Sequence, residues 1–438
     1  MEIRDPVHHN MHFDSEERRI LDHPWVQRLR HIRQLGFVSL VYPGAVHDRL
    51  QHSMGVCHVA GQAFDQLCSH GLLQELYDTN DLAYARRILR LAALLHDVGH
   101  APFSHTAEEH LSAVEAFALP ADWYRAGHIP SARKAHHEDC TLAVVAALAQ
   151  SQVIAEDEAR DICAVLSPHV RRSKRLAHLG SLVSLLRDLV SGELDADRCD
   201  YLLRDSHFCG VSYGLFDLPR LLQSMRVVSG PQGPELGIDG DGIHVFEGLL
   251  LARYHMFLQV YFHKTPPAFE YFLSQALAEG EIRMDLDAGL SDLLNVRDEV
   301  IVGRLHRAAA AGGRWSRRII AREPARLVMR ERVGEGDADN ALSLQVINAL
   351  QSAGCQVFWR QAQQRFTTLA GAGGQRHGDR LHCVRRVLGR TLLQSVPETS
   401  HLLSAFNTPI HVQYTYVLRE DADRAAAIIR RMNLGSEA

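Results

Sequence analysis

The sequence predicts a mainly α-helical protein with a smaller α+β lobe at its C-terminal end. Apolar residues recur with helical period through the first ~280 residues. After residue 285 the pattern shifts to acidic, then arginine-rich, then short strand-like runs. These observations divide the chain into a helical core, 1–285, and a lobe, 286–438.

Each element has a local cause. Asp14 or Ser15 can cap a first helix, and Pro24 suits the first turn of a second that carries Trp25, Leu29 and Ile32. A long helix is expected from Asp48 to His70, stopped by Gly71. Another runs from Leu82 to His100, with Ile88, Leu89, Ala92 and Leu95 inward and Pro102 preventing simple continuation. His137 to Ala149 and Leu182 to about Asp205 are further apolar-striped helices. Pro234 to Phe246 reads as a hairpin around Asp239-Gly240-Asp241-Gly242. As a calcium loop that segment fails, having no Glu at its twelfth position. A helix follows from Gly248 to His263. In the lobe, Arg304 to Arg332 holds nine arginines. Gly334 to Asp339 and Ala370 to Gly374 read as loops, Gln356 to Arg360 and His411 to Leu418 as strands, and Asp421 to Met432 as a closing helix.

The bulk numbers exclude several classes. With 46% hydrophobic and 23% charged residues, the 438-residue composition is that of a globular protein. A formal net charge of −5 gives no global field toward nucleic acid or anionic membrane. Basic residues are almost all Arg, with Lys only at 134, 174 and 264, a pattern that coding bias explains. The eight cysteines show no C-x-x-C pair, which argues against a zinc ribbon or disulfide framework and fits a reducing compartment. No apolar run reaches the ~18 residues of a membrane span, and the N-terminus lacks signal-peptide character. The sequence therefore reads as cytoplasmic.

Four segments supply candidate chemistry: Arg49-Leu50-Gln51-His52, His96-Asp97-Val98-Gly99-His100, His136-His137-Glu138-Asp139 and Asp195-Ala196-Asp197-Arg198-Cys199-Asp200-Tyr201. His96-Asp97 ends a strongly apolar helix, where a polar pair must find partners or incur desolvation. A helix-terminal His beside a capping Asp would look the same in isolation. The recurrence of His52 before it and Asp197 after it favours a metal site. Imidazole plus carboxylate suits a divalent transition ion such as Fe, Mn, Co, Ni or Zn. His96 and His100 are four apart, as in H-E-x-x-H proteases, but Asp97 replaces the Glu and Gly99 signals a helix end.

Asp197, Tyr201 and Asp205 lie at i, i+4 and i+8, along one helix face. Such a row could meet a phosphate, a sugar ring and a sugar hydroxyl in turn. Arg253, Phe257 and Tyr261 make a similar row, although core packing with a snorkelling Arg would look alike. His105 and Glu108 can touch on one turn, and a carboxylate beside His makes it a plausible general acid. Neither a P-loop nor a G-x-S-x-G elbow occurs.

Taken together, these residues resemble the HD-domain deoxynucleoside triphosphate triphosphohydrolases. The likeness begins at Asp5-Pro6-Val7-His8 and runs through Arg28 to Gly36, Tyr42 to Ala45 and Arg49 to Val56. It continues through Leu95 to His105, Asp195 to Arg198, Tyr201 to Asp205 and Tyr261 to Lys264, covering roughly residues 1–275 in order and spacing. The resemblance implies an HD helical core with metal ligands His52, His96, Asp97 and Asp197, and Mg as an additional ion. It implies that Arg49, His100, Arg198, Arg253 and Lys264 face phosphates. It places Gln34 (with Leu35 beside it) and Asp205 at the 3′-hydroxyl, and Tyr201 and Tyr261 on the deoxyribose. His105, oriented by Glu108 and His137, would protonate the departing 5′-oxygen, releasing deoxynucleoside and triphosphate from a dNTP. Asp22 and Arg30 match a GTP- or dNTP-activator pair, and a homo-oligomer, dimer or tetramer, is implied. Three positions depart from the pattern: Glu108 where the family has Asp, Phe257 where the vertebrate enzyme has His, and Arg4 where it has Asn.

Two other readings use the same residues. An HD-type phosphodiesterase or nuclease would need an open groove instead of a closed sugar pocket. A nucleotide-sensing, nucleic-acid-binding module would use the arginines from 304 to 332, although such a run is more often a solvated face.

Overall fold

A computed structural model describes residues 1–103, 105–286, 289–333, 341–365, 381–388, 390–400, 402 and 409–432. The expected loops at Gly334–Asp339 and Ala370–Gly374 lie outside the described residues. Helices dominate, with a smaller α+β portion toward the C-terminal end. Among the described residues no helix is long and apolar enough to cross a membrane.

The helix Arg49–Cys68 is buried along most of its length. It packs against Thr79–Leu95, Leu182–Ser191 and Ala196–Cys209, so residues from three chain regions meet on it. Caps start these helices where side-chain chemistry dictates. Asp48 accepts from the Gln51 N–H at 2.9 Å, Asp78 from Asp81 at 2.8 Å and Asp195 from Arg198 at 2.7 Å. Asp14 caps Ser15–Leu21 and forms a reciprocal box with Glu17.

Three expectations change. The helix expected to run from Leu82 to His100 is Thr79–Leu95, with His96 to His100 in the turn that follows it. The stretch Leu182 to Asp205 is two helices, Leu182–Ser191 and Ala196–Cys209, because Gly192 breaks the first and Asp195 caps the second. The hairpin is Met225–Gly230 against Gly233–Asp239, one strand earlier in the sequence than expected. Asp239-Gly240-Asp241-Gly242 is instead a 3-10 entry to the helix Ile243–Met256, and Asp239 accepts from the Asp241 N–H. That helix ends in a π-helical turn, Phe257–Tyr261, which re-aims Tyr261.

Strands from either side of residue 285 share one sheet. Gly233–Asp239 pairs in parallel with His382–Val387, which pairs antiparallel with Arg390–Ser395. A second sheet has Ile410–Val417 between Arg326–Val333 and Val357–Gln364. The nine arginines are thereby divided among helices Asp298–Ala310 and Arg314–Ile320, the strand Arg326–Val333 and Arg322 between them. Four hydrogen bonds tie these later elements to the helical core. Asp298 accepts from the Arg33 N–H at 2.9 Å and the Phe103 N–H at 3.2 Å. Tyr414 donates to the Phe262 carbonyl at 2.5 Å, and Tyr416 to that of Lys264 at 2.6 Å.

Candidate metal and phosphate site

His52, His96, Asp97 and Asp197 converge. His52 Nε2 lies 3.0 Å from Asp197 Oδ1 and 3.9 Å from Asp97 Oδ2. His96 Nε2 lies 3.5 Å from Asp97 Oδ1 and 3.7 Å from Asp197 Oδ1. His96 Nε2 is buried and makes no hydrogen bond among the described residues. Its other nitrogen, Nδ1, is set by the Ala93 carbonyl at 2.8 Å. Donors spaced at 3.0–3.9 Å around an orphaned imidazole nitrogen suit a single ion with ~2.0–2.2 Å bonds. The donor set therefore fits a divalent metal ion.

The electrostatics follow from burial against pairing. Burial pulls the His52 imidazole down, yet its hydrogen bonds to Asp197 and Asp200 outweigh this and lift it to about 10. Burial pushes Asp97 up, but the charges of His96, His100 and Arg49 outweigh it and hold Asp97 well below the usual carboxylate range. Burial pushes Asp197 up too, but its neighbours His52 and His96 outweigh it and hold it below the usual carboxylate range. Both aspartates thus stay ionised, as cation ligands must.

Glycines permit these approaches. A Cβ on Gly99 would sit 2.1 Å from the Thr141 nitrogen, so the turn after His96-Asp97 can press against the start of His137–Gln150 only without a side chain. Thr141 Oγ1 donates to the His96 carbonyl at 3.1 Å and fixes that turn. Arg28, fully buried, donates to the His100 carbonyl at 2.6 Å and braces it from the other side.

A support network behind the metal residues was not read from the sequence. Asp200 accepts His52 Nδ1 at 2.7 Å, fixing which nitrogen faces Asp197. It also meets His8 Nε2 at 2.7 Å and Arg204 twice at 2.9 Å, while Arg204 reaches Asp5 at 2.8 Å. The i, i+4 spacing of Asp200 and Arg204 was the available signal; the His8 partnership, 192 residues distant, had none.

The phosphate and sugar candidates are placed as follows. Arg49 is ion-paired with Asp97. His100 stacks on His137 with ring centroids 3.9 Å apart and lies 3.3 Å from Asp97. His137 Nδ1 meets Glu108 Oε1 at 2.5 Å. The His105 side chain lies outside the described residues. Arg198 is engaged with Glu193 at 3.3 Å and Asp195 at 3.6 Å, and Arg253 is buried nearby. Burial, then the Arg198 charge, lowers Arg253 from its ordinary value. Tyr261 donates to Asp205 Oδ2 at 2.6 Å, while His47 Nε2 meets Asp205 Oδ1 at 2.8 Å. The Tyr201 and Tyr261 rings stand edge to face at 6.2 Å. Gln34, Leu35, Arg49 and Tyr261 line one cavity of about 480 Å³ that also reaches Glu109, Glu270 and Arg360. Lys264 is exposed. Arg30 is exposed, bonded to Gln27 at 2.7 Å, and lines a separate cavity of about 390 Å³. Asp22 is exposed and pairs with Arg18 at 3.5 Å.

Comparison with known proteins agrees with this arrangement. The HD domain family model matches residues 49–202. An uncharacterized protein of Methanocaldococcus jannaschii is 31% identical over 303 residues, covering 69% of this chain and 54% of that protein. A deoxynucleoside triphosphate triphosphohydrolase SAMHD1 homolog of Dictyostelium discoideum is 27% identical over 304 residues, covering 68% of this chain and 54% of that protein. The chain spans about half the length of these curated relatives. Two crystal structures share the fold at 24% identity. A hypothetical protein from Aquifex aeolicus has TM-score 0.73, covering 98% of this chain and 99% of that one. A phosphohydrolase from Bacteroides thetaiotaomicron has TM-score 0.69, covering 96% and 100%. The HD domain family model thus matches the stretch that carries His52, His96, Asp97 and Asp197.

Proposed function

We propose that the chain is a metal-dependent phosphohydrolase that cleaves dNTPs to deoxynucleoside and triphosphate. The observation that carries this reading is the Tyr261–Asp205 hydrogen bond at 2.6 Å, with Tyr201 edge-on, beside the His/Asp cluster. A ring pair closed on a carboxylate matches a deoxyribose better than an open phosphodiester groove. The relatives named as dNTP triphosphohydrolases support the same substrate class.

His52, His96, Asp97 and Asp197 would hold the ion, which supplies Lewis acidity toward phosphate and water when bound. The other residues bind, orient and move protons. Arg49, His100, Arg198, Arg253 and Lys264 neutralise triphosphate oxygens. Gln34 and Asp205 take the 3′-hydroxyl. His105, with Glu108 and His137, delivers a proton to the departing 5′-oxygen. Nucleotide activation through Asp22 and Arg30, assembly through the lobe 286–438, and a cytoplasmic setting belong to the same reading.

The decisive experiment incubates purified protein with each dNTP and Mn, with and without GTP, and separates the products by chromatography. Deoxynucleoside plus triphosphate is the expected result. Release of dNMP and pyrophosphate would place the protein in a different reaction class, and cleavage only of phosphodiesters would favour the nuclease reading.

A further inference from the structure

A third cavity, of about 270 Å³, lies between the N-terminal end of the helix Leu182–Ser191 and the hairpin turn at Gln232–Gly233. Its walls include Arg172, Ser181, Ser184, Arg187, Asp188 and Glu235. The two guanidiniums are the unusual feature. Arg187 sends both Nε, at 3.1 Å, and one Nη, at 2.5 Å, to the Ala164 carbonyl. Arg172 donates one Nη to the Gly180 carbonyl at 2.7 Å, and its Nε is buried with no partner. Among the described residues neither arginine has a carboxylate within ion-pair distance. Backbone carbonyls orient these groups without cancelling their charge.

The electrostatics agree. Burial, then the charges of Arg172 and Arg125, lowers Arg187 to about 10. Burial and Arg125 lower Arg172 as well. Like charges held together in a partly buried cavity are costly unless something of opposite sign joins them. The carboxylates on the wall do not serve. Glu235 is engaged by His382 at 2.7 Å. Burial lifts Asp188 to about 7, so near neutrality it is protonated part of the time and can then donate a hydrogen bond. The Ser181 and Ser184 hydroxyls add donors, and the ten-residue helix Leu182–Ser191 turns its positive dipole end toward them.

We propose that this cavity binds a phosphate-class oxyanion, held by Arg172, Arg187, Ser181 and Ser184. Free phosphate and the terminal phosphate of a nucleotide share that chemistry. The site is distinct from the His52 cluster, but its helix leads through residues 192–195 directly into Ala196–Cys209, which carries Asp197.

The test is a thermal-shift titration of the full chain with inorganic phosphate, against chloride at matched ionic strength. The same titration is run on Arg172→Gln, Ser184→Ala and Arg49→Gln. Phosphate should stabilise the wild type, with affinity falling at least tenfold in Arg172→Gln and several-fold in Ser184→Ala. Arg49→Gln, altered at the other site, should retain the phosphate effect. If Arg172→Gln does not fold, Ser184→Ala carries the comparison. A dNTP is then titrated into Arg49→Gln. Binding that only the nucleotide shows, and that Ser184→Ala weakens, assigns the cavity to a nucleotide's terminal phosphate. A phosphate effect matched by chloride with no such nucleotide binding, or one lost in Arg49→Gln yet unchanged in Ser184→Ala and in any folded Arg172→Gln, overturns the proposal.

Discussion

The Tyr261 hydroxyl donates to Asp205 at 2.6 Å while His47 holds the other Asp205 oxygen at 2.8 Å. Tyr261 lies on a different segment from the candidate metal ligands, but the Asp205 that holds it shares the helix Ala196–Cys209 with Asp197. Its position comes from the π turn Phe257–Tyr261.

If that ring fills the space of a 2′-hydroxyl, Tyr261→Ala should raise rNTP turnover relative to dNTP. The expected change is roughly 10–200-fold, the range for a small-group discrimination of about 1–3 kcal/mol. Metal content should not change. Tyr261→Phe keeps the ring and should keep the sugar preference. Equal loss of both activities in Tyr261→Ala would make the ring a packing residue only.

His96→Ala and Asp97→Ala should each lose bound metal and turnover together. Elemental analysis of the purified variants decides this. Full metal occupancy in either variant would remove that residue from the ligand set.

Gly55→Ala should destabilise the protein. In an ordinary helix interior this exchange stabilises by roughly 0.5–1 kcal/mol. Here the new Cβ would fall 1.8 Å from Asp200 Oδ1 and 2.6 Å from an Arg204 nitrogen. Displacing a buried ion pair costs about 3–5 kcal/mol. A urea midpoint at or above that of wild type would contradict the packing described.

Stability should fall with acid in a window set partly by His58. Burial, then the charges of His8 and Arg90, lowers its imidazole to about 4 from an ordinary 6.5. The unfolded chain therefore takes up this proton at higher pH than the folded one. The contribution is complete above 6.5 and is lost as pH falls from 6.5 toward 4. His58→Gln should show a flatter urea midpoint than wild type across that interval. Parallel curves for the two proteins would rule His58 out as the cause.

The helical core was legible because its signals are local. The cap at Asp14, the apolar stripe of Thr79–Leu95 and the His96-Asp97 pair all lie within a few residues of what they control. The four candidate ligands could be named from sequence, and the structure brings them together, because each sits in a short segment of distinctive chemistry. Three things were less legible. The break at Gly192 is a single residue inside an apolar pattern that otherwise continues. The Asp5–Arg204–Asp200–His8 network and the parallel pairing of Gly233–Asp239 with His382–Val387 join distant positions, and no periodicity encodes such partners.

Tyr414 and Tyr416 grip the backbone just after Tyr261 from 152 residues further along. A ribosome would thus finish the His52 cluster long before it finishes the segment that steadies the Tyr261 wall. Closing so long a loop is entropically slow, so the cluster can assemble first and the wall can settle last. A chain clipped by a protease ahead of Ile410 would keep the helices that carry the His52 cluster while losing the clasp and the closing helix Ala422–Arg431. Its circular dichroism would look nearly native, and its sugar selectivity would be the first property to degrade.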